Sequence, residues 1–387
     1  MDPGALAGPG RSGASSAVVG TVADLAARGA ASALAGPTVP GAARPADAGV
    51  SAHQDRPAGR PRTHGFAAAA APARFVALGD SLSEGVGDRV AGGWRGWAAL
   101  LAQGLGPSGE GVAFTNLAVS GAQSQDVLET QLPAALALRP HVASVVVGVN
   151  DTLRRTFDIG QLARRLDRVC RELVQGGAVV LTACLPDPGR MLGLPGPLAR
   201  PLARRQRAVN AVVHALSERY DAVHLHLDGP RWTDDRALWS ADRLHPGERG
   251  HRAVAGAFHR LLKQRGLALG PAPAPEPEQP PPTRTDAVLW LATAGTAWVV
   301  RRCGDLLPQL LGLAAAELRH SATGTGDLLD ARAERALGRA LRTMAGPATP
   351  AELRPAGRTP GDGRAPTPAP PPPRPEAPGT PRAEALR

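Results

Sequence analysis

Four short motifs bring together the residue types that acyl-transfer chemistry requires. They occur in chain order as Gly79-Asp80-Ser81-Leu82, Asn116 to Gly121, Gly148-Val149-Asn150-Asp151 and Asp242-Arg243-Leu244-His245-Pro246. Ser81 is a candidate nucleophile, and because a serine hydroxyl alone is a poor nucleophile, it needs a base within hydrogen-bond reach. His245 is the candidate base, and Asp242, three residues earlier, could orient its imidazole and stabilise the imidazolium. The motifs therefore predict a Ser-His-Asp triad.

Acyl transfer also needs hydrogen-bond donors for the oxyanion that forms on the substrate. Loss of one such donor typically costs roughly 100- to 1000-fold in rate. Gly121 can supply a backbone N–H without an obstructing side chain, Asn150 a side-chain amide, and Ser81 its own backbone N–H. Each of these residues alone would more often belong to a turn or a helix cap, so the prediction depends on the motifs occurring together.

Two further groups of residues are candidates for binding. Trp94, Arg95 and Trp97 follow Ser81 in a glycine-rich segment and could form the wall of a substrate pocket, although tryptophans there could equally cover the edge of the core. His224 and His226 alternate along a predicted strand, but no cysteine or carboxylate accompanies them at a metal-ligand spacing. They are expected to be ordinary strand residues, and no metal site is predicted.

The elements that must position these residues alternate between strands and helices. Apolar and β-branched runs predict strands over residues 74–78, 112–118, 141–147, 178–182 and 222–227. Helices are predicted over 97–105, 126–138 (with a kink at Pro133), 159–174, 198–220 and 246–265. Such alternation predicts an α/β fold, a three-layer α/β/α sandwich with a mostly parallel five-stranded sheet. Ser81 and Asn150 then follow strands at the carboxyl edge, where open parallel sheets bind ligands.

Proline, glycine and apolar runs divide the chain into five predicted segments. These are 1–71, 72–268, 269–283, 284–320 and 321–387. The first, rich in Ala, Gly and Pro, and the last, rich in Pro and Arg, show no sustained hydrophobic period and are predicted to be disordered. The second is the predicted catalytic domain, and the third is a proline-rich linker.

The fourth segment is an apolar extension with an interruption. Residues 287–300 are apolar over 14 positions, and Arg301-Arg302 then separates them from a second apolar run. Because a bilayer-spanning helix needs roughly 20 residues, the run is too short to cross a membrane. Two helices that pack on the catalytic domain are therefore expected, and an interfacial membrane helix is the less favoured alternative.

Charge and cysteine content argue against several classes of protein. The net charge is +10, carried almost wholly by arginine, and Lys263 is the only lysine. No basic stripe interleaved with aromatics appears, so no nucleic-acid partner is expected. Cys170, Cys184 and Cys303 fit neither a disulfide framework nor a zinc motif. Free thiols are expected, with a Cys170–Cys184 bridge as the unsupported alternative. The N-terminus lacks a basic cluster before an apolar core, which favours a cytoplasmic location over secretion.

The four motifs resemble the four blocks of the SGNH hydrolases, also called GDSL esterases/lipases, over roughly residues 73–266. Gly96-Trp97-Ala98 and an arginine-rich extension look most similar to intracellular-type members from actinobacteria. The resemblance implies a flavodoxin-like sandwich that needs no metal or cofactor. It also implies a catalytic set of Ser81, Asp242 and His245 and an oxyanion hole of Ser81, Gly121 and Asn150.

The expected function is hydrolysis of a small-molecule carboxylic ester with a short to medium acyl group, through an acyl-enzyme on Ser81. A deacetylase or an acyltransferase of a sugar or natural product could use the same residues. A membrane-surface or scaffold protein with a vestigial hydrolase domain is the non-enzymatic alternative, and the four intact motifs argue against it. A protein partner for the proline-rich tail, which contains Pro370 to Pro373, is not identified by the sequence.

Overall fold

The computed structural model describes residues 73–107, 112–278 and 296–344, all of which fall within one unit, Met1–Pro355. Its strands are β1 (Arg74–Gly79), β2 (Arg89–Val90), β3 (Gly93–Trp94), β4 (Ala113–Asn116), β5 (Val142–Val146), β6 (Val179–Cys184) and β7 (Val223–His226). Its α-helices are α1 (Ser81–Glu84), α2 (Gly96–Gln103), α3 (Ser124–Asp126), α4 (Leu132–Leu138), α5 (Val149–Thr152), α6 (Ile159–Gln175), α7 (Pro188–Met191), α8 (Gly196–Arg219), α9 (Pro230–Thr233), α10 (Glu248–Gln264), α11 (Thr296–Ala322) and α12 (Gly326–Thr343). The predictions for residues 1–71 and for the proline run at 370–373 lie outside the described residues.

Five of the strands form one parallel sheet in the order β4-β1-β5-β6-β7. β1 lies between β4 and β5, with Ala77 paired to Asn116 on one side and to Ser144 on the other. The remaining two strands, β2 and β3, form a short antiparallel hairpin. The predicted five-stranded parallel sheet is confirmed.

Helices cover both faces of this sheet. Because side chains alternate along a strand, Val76 and Leu78 of β1 face one layer while Phe75 and Ala77 face the other. The first layer includes α4, α6 and α8, and the second consists mainly of α2 and α10. In the second layer Trp97 of α2 stacks on Phe258 of α10, with ring centroids 5.0 Å apart. The α/β/α sandwich is thus confirmed.

The helix predicted over 126–138 contains a π-helical turn shortly before Pro133. Residues Val127–Gln131 form a π-helical turn between α3 and α4. Pro133 is the second residue of α4, directly after the π turn. A π turn holds one residue more than an α-helical turn, and such turns are frequent at functional sites. Its last residue, Gln131, is buried and points to the end of β1.

The segment predicted as a linker, 269–283, begins by packing against the domain. Leu269 N–H donates to Leu105 O and Gly270 N–H to Gly104 O, each at 3.1 Å. The carboxylate of Glu278 accepts from Arg95 at 2.9 Å and from Arg252 at 2.5 Å. Residues 269–278 therefore extend the domain, while 279–283 lie outside the described residues.

Two predictions for the C-terminal region are wrong. α11 runs without a break through Arg301-Arg302, and α12 lies within the segment that was predicted to be disordered from 321 onward. α11 contacts α8 through the buried Glu317, which accepts from Arg204 at 3.3 Å. α12 adds Ala340 and Met344 to the first core layer. Among the described helices, none is both long enough and apolar enough to span a bilayer.

Candidate active site

Three residues from distant parts of the chain form a hydrogen-bonded line at the carboxyl edge of the sheet. His245 Nε2 lies 2.8 Å from Ser81 Oγ, and His245 Nδ1 lies 2.6 Å from Asp242 Oδ2. His245 is buried, and Ser81 is half-buried at the start of α1. The imidazole can therefore accept the Ser81 proton at Nε2 while its Nδ1–H stays bonded to the carboxylate. The structure brings together the three residues that were predicted as catalytic.

Asp242 is fixed by the turn that carries it. Its Oδ1 accepts hydrogen bonds from Ser240 Oγ (2.7 Å), Leu244 N (2.9 Å) and His245 N (3.0 Å). Burial would raise the pKa of Asp242, but the hydrogen bonds and charge of His245 and the Ser240 bond outweigh it and lower the pKa to about 2. Asp242 is consequently ionised at neutral pH and held so that only Oδ2 faces the imidazole.

The Ser81 turn depends on a glycine and a buried amide. Gly79 has φ +143°, and a Cβ there would lie 2.2 Å from Val146 O, so no larger residue fits. Gln131 holds the Gly79 peptide from both sides, accepting from its N–H at 2.8 Å and donating to its C=O at 2.9 Å. Next along the chain, Asp80 caps α1 by accepting from Leu82 N at 3.1 Å. Ser81 is thus placed at a helix N-terminus, where the dipole favours negative charge.

The carboxyl of Asp80 lies in an environment that disfavours its charge. Burial raises its pKa to about 6, although the Leu82 N–H bond and the charge of His245 act in the opposite direction. Asn150 Nδ2 donates to Asp80 Oδ2 at 3.3 Å and to Ala122 O at 3.1 Å. The amide of Asn150 therefore bonds both the turn that carries Ser81 and the loop that carries Gly121.

Two backbone N–H groups at the site have no acceptor among the described residues. These belong to Ser81 and to Gly121, which has φ +86°. The loop that carries Gly121 is joined to the end of β5 by Asp151, whose carboxylate accepts from Ser124 N at 3.0 Å and Ser124 Oγ at 2.6 Å. The three predicted oxyanion donors thus lie around one cleft, and two of them keep a proton that no described residue accepts.

This cleft has a volume of about 500 Å³ and a mostly apolar lining. Ser81, Gly121, Asn150 and His245 lie in its wall. The apolar part of the lining includes Leu82, Val86, Trp94, Met191, Trp232 and Trp239. A cleft of this size and character suits a small organic substrate that is oriented by a few polar groups.

Of the three residues predicted to line the pocket, only Trp94 does so. Trp94 is 41% exposed at the cleft, whereas Trp97 is 0% exposed and belongs to the core. Arg95 lies outside the cleft lining and forms ion pairs with Asp88 (3.0 Å) and Glu248 (2.9 Å) as well as with Glu278. The predictions for Arg95 and Trp97 are wrong because the helix that follows Trp94 turns inward against α10.

Several residues that support the site were missed from the sequence. The buried His251 accepts from Trp97 N at Nδ1 (3.1 Å) and donates from Nε2 to Val86 O (3.0 Å), which joins α10 to the loop after Ser81. Trp232 and Trp239 come from the loops that follow β7. Their position after a predicted strand at the carboxyl edge is a signal that could have identified them. Nothing in the sequence singles out Gln131, because its role depends on the π turn.

The cysteines are partly as expected. Cys170 and Cys184 are both buried and free, so the alternative of a bridge between them is wrong. Burial raises the pKa of each thiol to about 12. Neither thiol lies in the cleft lining.

Comparison with known proteins supports the same assignment. A model of the GDSL-like lipase/acylhydrolase family matches residues 77–253. The GDSL-like esterase Rv1075c of Mycobacterium tuberculosis is 32% identical over 190 residues, which span 47% of this chain and 59% of that protein. The chain therefore covers less than two thirds of this relative.

Solved structures of similar proteins include TesA and the esterase EstA of Pseudoalteromonas sp. TesA is 25% identical with a TM-score of 0.40, covering 50% of this chain and 99% of TesA. EstA is 20% identical with a TM-score of 0.39, covering 49% of this chain and 97% of EstA. Residues 77–253 of the chain are thus similar to the GDSL-like lipase/acylhydrolase family.

Proposed function

We propose that this protein is a carboxylic ester hydrolase that acts through a covalent acyl-enzyme on Ser81. The observation that carries the proposal is the line of hydrogen bonds from Ser81 Oγ to His245 to Asp242, next to two backbone N–H groups without an acceptor in the described part of the chain. A serine that only capped a helix would need neither the imidazole nor the free donors. The arrangement matches what acyl transfer requires.

Acylation begins when Ser81 Oγ attacks the ester carbonyl carbon and its proton passes to His245 Nε2. The carbonyl oxygen becomes an oxyanion that accepts hydrogen bonds from Ser81 N–H and Gly121 N–H, and Asn150 Nδ2 becomes a third donor when it exchanges its 3.3 Å bond to Asp80 for one to the oxyanion. The ionised Asp242 stabilises the imidazolium across 2.6 Å. Collapse of the intermediate breaks the bond to the alkoxide, which leaves as an alcohol with the proton from His245.

Deacylation repeats these steps with water. His245 Nε2 takes a proton from a water molecule, whose oxygen attacks the acyl carbon. The same donors stabilise the second oxyanion. The bond to Ser81 Oγ then breaks, the serine regains its proton from His245, and the carboxylic acid leaves.

The cleft favours a short to medium acyl group with little polarity. Its apolar lining, including Met191, Trp232 and Trp239, offers few polar groups that could recognise a sugar. With a volume of about 500 Å³, it lies within the range of small-molecule sites and has room for an acyl chain of moderate length. This lining supports an apolar acyl ester over a sugar acetate as the substrate class.

Hydrolysis of p-nitrophenyl esters from acetate to palmitate tests the proposal. We expect the highest kcat/KM at a short or medium chain and a loss of at least 1000-fold in Ser81→Ala. The matched control is Ser120→Ala, which removes another serine hydroxyl from the same cleft and should keep activity within a few-fold. Equal activity in wild type and Ser81→Ala would refute the mechanism.

A fluorophosphonate provides a second test that does not depend on the choice of ester. Intact-mass analysis should show one adduct on the wild-type chain and none on Ser81→Ala. Product analysis with added alcohols then separates hydrolysis from acyl transfer, because a transferase would yield mainly the new ester.

A further inference from the structure

Four side chains of metal-binding type converge away from the cleft, at the last strand of the sheet. Cys184 is the final residue of β6, His224 and His226 lie on β7, and His214 lies on α8. One potential ligand atom from each lies within 4.8 Å of every other. The parallel register explains part of this arrangement, since it pairs Cys184 with His226 and Thr182 with His224. Side chains two residues apart on paired strands share one face, and α8 covers that face.

The separations are close to those of a tetrahedral zinc site. Zinc bond lengths place nitrogen ligands about 3.3 Å apart and a sulfur about 3.5 Å from each nitrogen. Cys184 Sγ lies 3.2 Å from His224 Nε2, and the three imidazole rings lie 4.6 to 4.7 Å apart between centroids. Small side-chain rotations would therefore bring the remaining atoms to zinc distances.

Hydrogen bonds around His224 leave the correct nitrogen free for a metal. Ser217 Oγ donates to Val213 O at 2.6 Å, so it can only accept from the imidazole. His224 Nδ1 lies 3.1 Å from Ser217 Oγ and 2.9 Å from Thr182 Oγ1. Nδ1 can therefore donate to Ser217 Oγ, and in that tautomer Nε2 presents its lone pair toward Cys184 Sγ. A ligating histidine that donates its other N–H to a fixed acceptor is the usual arrangement around zinc.

We propose that Cys184, His214, His224 and His226 bind one Zn²⁺ ion. On binding, the S–H bond of Cys184 breaks, its proton goes to water, and one thiolate and three neutral imidazoles form four bonds to the metal. One thiolate with three imidazoles suits Zn²⁺ in its preferred tetrahedral geometry. Because the protein supplies all four ligands, no position remains for a substrate, so the site is structural.

Two of the four proposed zinc ligands are followed directly by residues that line the cleft. Leu185 follows Cys184 directly, Leu227 follows His226 directly, and both leucines line the cleft. β7 is the edge strand and has only β6 as a neighbour in the sheet. A zinc ion bound to β6, β7 and α8 would hold this edge strand and the wall that the two leucines form.

Metal binding to the full chain, prepared without a polyhistidine tag and stripped with a chelator, tests the proposal. Competition with a chromophoric chelator should show one Zn²⁺ per chain, with a Kd at least 100-fold lower in wild type than in Cys184→Ala. Cys170→Ala is the matched control, because it removes the other described buried thiol and should bind as wild type does. Ser81→Ala should also bind as wild type, which separates this test from that of the esterase mechanism.

Two further readouts keep the test decisive if Cys184→Ala folds poorly. Co²⁺ should give a thiolate-to-metal absorption band in wild type and Cys170→Ala. His226→Ala, at an exposed position of the edge strand, should fold and weaken that band. Zinc at a hundredfold above its Kd should raise Tm by about 5–10 °C in wild type and far less in His226→Ala. Equal zinc affinity and equal Tm in wild type and His226→Ala would overturn the proposal.

Discussion

Replacing Asp242 by asparagine should separate its role in catalysis from its role in the fold. Oδ1 of Asp242 accepts three hydrogen bonds, from Ser240, Leu244 and His245. In Asp242→Asn the carbonyl oxygen must take this position, because the NH₂ group cannot accept. The NH₂ then faces His245 Nδ1 at the former Oδ2 position. Nδ1 is forced to accept, the proton moves to Nε2, and His245 can no longer take the proton of Ser81.

The expected magnitudes follow from this geometry. A wrong tautomer costs about 10⁴-fold in kcat in a Ser-His-Asp protease, and we expect a similar loss here. Lowering the pKa of Asp242 from 3.8 to about 2 corresponds to about 2 kcal/mol in favour of the ionised folded state. Asp242→Asn loses that contribution, whereas Asp242→Ala also loses three hydrogen bonds worth about 1 kcal/mol each. The asparagine variant should therefore be the more stable of the two and no more active.

Denaturant unfolding and p-nitrophenyl butyrate hydrolysis, measured on the same preparations, check the predicted ranking of the two variants in stability and in activity. Since the folded-state pKa is depressed, the stabilisation by Asp242 is present above pH 3.8 and is lost as pH falls toward 2. The stability difference between wild type and Asp242→Asn should shrink over that interval. Asp234→Asn is the control, because that exposed aspartate lies at the surface, where it pairs with Arg190 and accepts from Thr233 Oγ1. An Asp242→Asn enzyme within tenfold of wild-type kcat would refute the reasoning.

Three other substitutions probe an oxyanion donor, the core and the rim of the cleft. Asn150→Ala should lower kcat by about 100- to 1000-fold with little change in KM, measured by steady-state hydrolysis, and a KM effect alone would contradict the role as a donor. Trp97→Ala should lower the free energy of unfolding by about 3–5 kcal/mol in denaturant titrations, because the ring is fully buried against Phe258. Trp94→Ala, at the exposed rim of the cleft, should leave stability almost unchanged and shift KM.

The sequence was sufficient to predict the strands and the residues that meet at the cleft. Short Val-rich runs such as 142–147, bounded by proline and glycine, favour buried strands, and each catalytic motif directly follows a strand or precedes a helix. Local patterns of this kind also predicted α6, whose N-cap Asp158 accepts from Gln161 N at 2.8 Å. Because these features depend on residues that are neighbours in the sequence, one sequence is enough to predict them.

The errors concern contacts between distant elements. Trp97 is a candidate for the pocket because it lies in the glycine-rich segment after Ser81, but the position of α10 determines which side of α2 is buried. The residues of α12 lie in an Ala- and Arg-rich stretch whose apolar positions, such as Ala340 and Met344, gain meaning only against the first core layer. His224 and His226 lacked visible partners because Cys184 and His214 are brought to them by the sheet register and by α8.

The position of β1 explains how four motifs spread over 170 residues can form one site. β1 has β4 on one side and β5 on the other, so the loops that follow these strands both reach the cleft beside Ser81 and bring Gly121 and Asn150 to it. His245 does not follow a strand. It is positioned by α10, the helix after it, which packs on α2 through Phe258 and Trp97. Trp97 is thus a residue that positions the base without touching the cleft. Its removal should lower kcat as well as stability. Trp97→Phe, which keeps an aromatic ring against Phe258, should retain more of the kcat and of the stability than Trp97→Ala does.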